Sequence, residues 1–161
     1  VNRWYRLVEQ PLTEEELFLI ANSIYAPSYI SLESALNFYG LIPEGVFAIT
    51  SVSTRKTQDF QTPVGHFFYR SHAPSLHFGY SLAQTGNRRF KIATPEKAVL
   101  DYLYFHREMN SFDDFEAWRI DADSLKTLLD PEKTKAFLAL FGNKSLEKRM
   151  GKLLKYINQH D

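Results

Sequence analysis

The chain reads as an α+β domain: about five antiparallel strands packed with a buried central helix, two helices before the sheet and a helical region after it. Three observations predict this class. Apolar residues recur at helical spacing from Leu17 to Tyr39; β-branched and aromatic residues broken by turns occupy Val46 to Ala93; helical spacing returns from Thr94 to Ile157. The 161 residues suit one main domain with one substantial core. Thirteen Phe and nine Tyr bring the aromatic share to 15%, so that core is built largely from rings, and disorder is not expected over most of the length.

The first helix is announced by Thr13-Glu14-Glu15-Glu16, a capping box in which the threonine oxygen accepts the third backbone N–H and Glu16 reaches back. Leu17, Ile20, Ala21 and Ile24 then fall at i, i+3, i+4 and i+7, and Ala26-Pro27 closes the helix. Ser31 stands where a second helix is capped. Leu32, Ala35, Leu36 and Tyr39 repeat the spacing, with Gly40 at the left-handed position beyond the end.

Val46 to Thr54 is the first predicted strand. A turn around Arg55 and Lys56 leads to an extended stretch at Phe60 to Thr62, and Thr62-Pro63-Val64-Gly65 turns the chain into His66 to Ser71. Phe78 to Ala83 and Arg88 to Ala93 flank a second hairpin turn at Gln84-Thr85-Gly86-Asn87. Thr94 caps the next helix with Pro95 at its first position, where the missing N–H costs nothing. From Ala98 to Phe105 only Asp101 is neither apolar nor aromatic, so protein surrounds this helix on most sides. Three or four short helices follow: Phe112 to Arg119, a turn around Leu125 to Leu129, Pro131 to Phe141, and Leu146 to Ile157. The last carries an apolar stripe of Leu146, Met150, Leu153 and Ile157 beside a basic one.

With no cysteine, disulfides, thiolate nucleophiles and cysteine zinc sites are excluded, which fits a reducing cytoplasm. No apolar run is long enough to span a membrane and no secretory signal pattern opens the chain. The chain begins with Val1, and Arg3-Trp4-Tyr5-Arg6-Leu7 reads as a strand without its partner. Both point to a piece of a longer polypeptide.

Zero net charge conceals a gradient. Residues 1–50 carry −4 and residues 51–110 carry +4. Arg55, Lys56, Arg70, Arg88, Arg89 and Lys91 from the sheet, with Lys148, Arg149, Lys152 and Lys155 from the last helix, are the candidate contacts for nucleic acid or an acidic partner. Strand alternation divides the sheet residues between two faces, so at most about half act together.

For chemistry the candidates are few. His66, His72, His77 and His106, with Asp59, invite a metal or acid–base reading, but no pair has HExxH or i, i+4 spacing and no carboxylate completes a set. Asp101 is a carboxylate on an apolar helix, and a salt bridge to Lys97 one turn earlier, or to an arginine from the sheet, accounts for it. Nucleophile elbows, phosphate loops and dinucleotide fingerprints are missing. The expectation is a binding protein without catalytic residues, cofactor or metal.

Three stretches carry a resemblance: PSYISLESALNFYGLIPEGV, then ITSVSTRKTQDFQTPVGHFFYR, then KIATPEKAVLDYLYF. In order and spacing they resemble the AbiEi family of bacterial antitoxins, with YISLESAL and IATPEKAVLDYL the most specific pieces. The resemblance covers Leu17 to Phe105 and is looser from Phe112 onward. It implies a two-part parent, in which a winged helix-turn-helix binding operator DNA precedes the antitoxin domain. Residues 1–10 would then be the remnant of the wing or linker and residues 11–161 the antitoxin domain. It further implies a nucleotidyltransferase-like toxin as functional counterpart, in a type IV system where protection is not attributed to a stable toxin–antitoxin complex, and which can serve phage defence. An alternative is an auxiliary nucleic-acid-binding domain supporting the winged helix on its operator. The family supplies no agreed catalytic residues.

Overall fold

A computed structural model describes residues 11–43, 45 and 47–159. The orphan strand expected at Trp4 to Leu7, and with it the proposed wing remnant, lies outside the described residues. Helix α1 (Glu14–Ile24) leads into strand β1 (Ser28–Ile30), helix α2 (Leu32–Phe38) and strands β2 (Ile49–Ser53), β3 (Gln58–Thr62) and β4 (Gly65–Ser71). A short 3₁₀ turn (Pro74–Leu76) precedes β5 (Tyr80–Thr85) and β6 (Arg88–Ala93). Helices α3 (Pro95–Phe105), α4 (Phe112–Trp118), α5 (Ala122–Leu128), α6 (Pro131–Phe141) and α7 (Lys144–Gln159) complete the described chain.

The α+β class holds, but the sheet differs from the expected five antiparallel strands. It has six strands in the order β3-β4-β2-β1-β6-β5, and it is mixed. The extra strand is β1, three residues between two helices, too short to show an alternating pattern in the sequence. It sits near the middle, antiparallel to β2 with Tyr29 opposite Val52, and parallel to β6 at Ile30 and Ile92. Strands β2 and β4 also run parallel, from Ile49–Phe67 to Ser53–Ser71. The hairpins β3–β4 and β5–β6 are antiparallel, as their turn chemistry predicts. Parallel pairing puts protein on both faces of the central strands, and β1 and β2 are buried at every position.

Alternation and register assign the faces. Ile30, Ser51, Phe67, Tyr69, Phe90 and Ile92 share the face covered by α1, where Phe18 packs edge-on against Phe90 and Tyr69 donates its hydroxyl to the Ala21 carbonyl at 2.7 Å. Tyr29, Val52 and Arg70 face the other way, toward α3. The Thr13 capping box forms as predicted, with Glu16 N–H donating to Thr13 Oγ1 at 3.1 Å and Thr13 N–H donating to Glu16 Oε1 at 3.0 Å. Thr94 likewise caps α3, accepting from Lys97 N–H at 3.3 Å. Seven of the eleven residues of α3 are buried, including Glu96, Lys97 and Asp101, so it is the central helix that the sequence predicts.

The Ser31 expectation fails in an informative way. Ser31 occupies the N-cap position of α2 but makes no capping bond. Its hydroxyl donates instead to Asp101, 70 residues away. The next residue, Leu32, has φ of 60°, a left-handed conformation that costs a non-glycine residue about 1 kcal/mol or more. This turn is held from both sides: Ser31 N–H donates to the Thr50 carbonyl at 3.1 Å, and Thr50 Oγ1 donates to the Ser31 carbonyl at 2.7 Å.

Candidate functional site

One buried group of side chains joins the two most specific sequence segments, and it is built from the strand β1 and the helix α3. Tyr29 and Ser31 are two residues apart in extended chain and so project to the same face; Lys97 and Asp101 are one turn apart on α3 and meet them. Lys97 Nζ lies 3.1 Å from Asp101 Oδ1, the i, i+4 salt bridge that the sequence offers as the simplest account of Asp101. Asp101 Oδ2 accepts from Tyr29 Oη and Ser31 Oγ, both at 2.8 Å. Lys97 Nζ also donates to Tyr29 Oη and to the Leu76 carbonyl, both at 2.7 Å.

A donor count bears on the protonation of this group. An ammonium has three N–H donors, and Lys97 spends all three, on Asp101, Tyr29 and Leu76. A neutral amine has two donors and a lone pair, and would have to take the Tyr29 hydroxyl proton away from Asp101. Burial pushes the Asp101 carboxyl up, and the Lys97 ammonium and the hydroxyls of Ser31 and Tyr29 oppose it. Burial pushes Lys97 down and Asp101 opposes it in turn. The Tyr29 phenol is pushed well above its ordinary range, first by burial and then by the adjacent carboxylate. An ion pair fully supplied with hydrogen bonds is the state that the geometry fits.

Rings complete the cage. Phe78, Tyr29 and Phe141 place their centroids 4.4, 5.1 and 5.3 Å from Lys97 Nζ, and Tyr80 stacks on Tyr29 at 5.1 Å. The chain approaches so closely at Gly79 that a Cβ there would stand 3.0 Å from Lys97 Cγ and Cδ and from Phe137, and its φ of 79° suits glycine. Lys97, Tyr29 and Ser31 are wholly inaccessible and Asp101 nearly so. No substrate reaches these atoms in this conformation.

His72 and His77 border this cage. His72 Nε2 and His77 Nδ1 are 3.0 Å apart, both rings pack on Tyr29, and His77 Nε2 is buried without a partner. Burial, with the Lys97 charge second, lowers His72 to about 3 and lowers His77 as well, so both are neutral near pH 7. The other histidines stand elsewhere: His66 pairs with Asp59 across the β3–β4 hairpin, and His106 stacks on Tyr102 with Nδ1 2.8 Å from the Tyr102 carbonyl. Among the described residues no three histidine or carboxylate side chains gather to hold a metal ion.

The candidate basic contacts are not brought into one patch. Arg55 and Lys56 are exposed in the β2–β3 turn, where the Arg55 guanidinium covers Tyr25 at 4.1 Å. Arg70 covers Phe105 at 4.5 Å, and Lys91 approaches the Tyr80 ring at 5.6 Å. Arg88 and Arg89 point to opposite faces of β6. Lys148, Lys152 and Lys155 are exposed on α7, but Arg149 is buried, and its Nη1 donates to the carbonyls of Leu103 and His106 at the end of α3. A separate cavity of about 460 Å³ lies between α5, α6 and α7, lined by Leu129, Leu138, Leu154 and Ile157 with Lys126 and Lys135; no residue of the Lys97 group lines it.

Among the residues of the site, sequence reading found Asp101 and Lys97 and missed Tyr29 and the role of Ser31. The available signal was Tyr29 and Ser31 alternating across Ile30, obscured because the strand is only three residues long. No helix among the described residues is long and apolar enough to cross a membrane. In comparisons with known proteins, no family model, no curated protein and no solved structure matches this chain.

Proposed function

We propose that this chain is the antitoxin domain of an AbiEi-like bacterial regulator, and that it opposes a nucleotidyltransferase-type toxin by binding rather than by catalysis. One observation carries the second half of the reading. YISLESAL and IATPEKAVLDYL, the segments in which the resemblance is strongest, meet through Tyr29, Ser31, Lys97 and Asp101 in a group that is closed to solvent and satisfied by its own hydrogen bonds. Their distinctive residues thus support architecture, and partner recognition is left to the exterior.

The test is co-expression with the toxin encoded beside the parent gene. The wild-type domain restores growth, and so does Lys97→Met/Asp101→Leu, which removes both charges together and is verified as folded by circular dichroism. Loss of protection in that folded double variant would show that the buried charges do chemistry. If the wild-type domain gives no protection while the full-length parent rescues, the domain by itself is not the antitoxin.

A further inference from the structure

The two edges of the sheet are unlike. Strand β3 forms one edge with the sequence QDFQT; Asp59 pairs with His66 there and Pro63 follows its last residue, and charges and prolines are the usual guards against edge pairing. Strand β5 forms the other edge with YSLAQT, which holds no charge and no proline, and Leu82 in its middle is 55% exposed. Such an edge is a template for a further strand.

The turn determines which backbone groups it offers. Gly86 and Asn87 form a two-residue connection, with Gly86 left-handed at φ 62°, so Thr85 and Arg88 are the closing hydrogen-bonded pair. Alternation from that pair directs the N–H and C=O of Ala83 and Ser81 inward to β6, and those of Gln84, Leu82 and Tyr80 outward. Among the described residues, three at i, i+2 and i+4 therefore present donors and acceptors with no strand beside them, on a strand without charge.

We propose that β5 pairs with β5 of a second copy of this chain, antiparallel about a two-fold axis at Leu82. Only a register centred there matches all three outward residues, with Leu82 opposite its symmetry mate and Tyr80 opposite Gln84 of the other copy. It makes about six backbone hydrogen bonds. The neutrality of β5 is the argument for self-pairing: the two-fold axis sets Leu82 against its own kind and brings the rest of the strand against the same strand, so a charge at the axis would meet its like, and YSLAQT carries none. The two six-stranded sheets become one continuous sheet of twice the width.

The full chain at rising concentration, followed by sedimentation equilibrium from micromolar to millimolar, moves from 18.7 kDa toward twice that mass. Leu82→Lys places two ammonium groups at the axis and weakens association about tenfold or more, with an unchanged circular dichroism spectrum because the residue is exposed. The chain has no cysteine, so Leu82→Cys gives an unambiguous readout. Its two Cα atoms at about 5.5 Å are within disulfide reach, and mild oxidation yields a covalent dimer. Ser81→Cys, whose opposite number is Ala83 on the other face, does not cross-link. A monomer at all concentrations, association insensitive to Leu82→Lys, or equal cross-linking at positions 81 and 82 would each overturn the proposal.

Discussion

Asp101 is held by three donors and Lys97 by three acceptors, so removing either partner strands a buried charge. Asp101→Asn leaves the Lys97 ammonium without its counter-ion and costs about 3–5 kcal/mol, measured by urea denaturation. Lys97→Met/Asp101→Leu costs much less than the two single changes added together, because no unpaired charge remains. Ser31→Ala separates two roles of one hydroxyl. If it capped α2, its cost would be the same in any background; since it donates to Asp101, the cost of about 1 kcal/mol shrinks when Asp101 is already Leu. For His72 the sign follows from a folded-state pKa of about 3 against an ordinary 6.5. The unfolded chain takes up a proton near 6.5 and the folded chain does not until about 3, so stability is present above that window and is lost as pH falls through it. Comparing urea midpoints between pH 7 and pH 4 for wild type and His72→Phe checks this: the wild type declines more steeply.

At the level of elements, starts were legible and tertiary roles were not. Thr13 and Thr94 cap their helices as the sequence indicates, the first as a full capping box, since an N-cap bond acts within four residues and needs no fold around it. Arg149 looked like one more cation on a basic helix face, yet it turns inward to close the end of α3. Its spacing, three residues after Leu146 and four before Leu153, sets it at the border of the apolar stripe, where Lys148 does not lie, and the nearby α3 carbonyls give its guanidinium a place to turn. Arg149→Met keeps the packed stem and loses the charged donor, and is expected to cost about 2 kcal/mol, whereas Lys148→Met is near neutral, by thermal denaturation. Gly79→Ala tests the closeness of the strand to the cage: the added Cβ meets Lys97 and Phe137 in a backbone conformation that alanine resists, for about 2 kcal/mol or more.

For the whole molecule, both hairpins and the buried helix were readable, because turn residues and apolar runs are local signals. The order of strands was not, because it depends on which edges find each other across distance. Strand β4 inserts between β2 and β3, and β1 sits between β2 and β6, although no local pattern asks for either. Asp101 shows the same boundary: its partner one turn away is legible in the sequence, and its partners Tyr29 on β1 and Ser31 just beyond it are not.

The bonds from β1 to α3 bear on how the protein is made. Tyr29 and Asp101 are 72 residues apart, and Lys97 and Tyr29 are 68. Contacts that join such distant stretches raise the contact order and slow folding, because the intervening loop has to be closed before they repay it. During synthesis the first half of the chain therefore emerges with Tyr29 and Ser31 unmatched and the inner edge of β1 open. The centre of the sheet cannot be completed until α3 has left the ribosome, and until then the growing chain depends on staying apart from its neighbours.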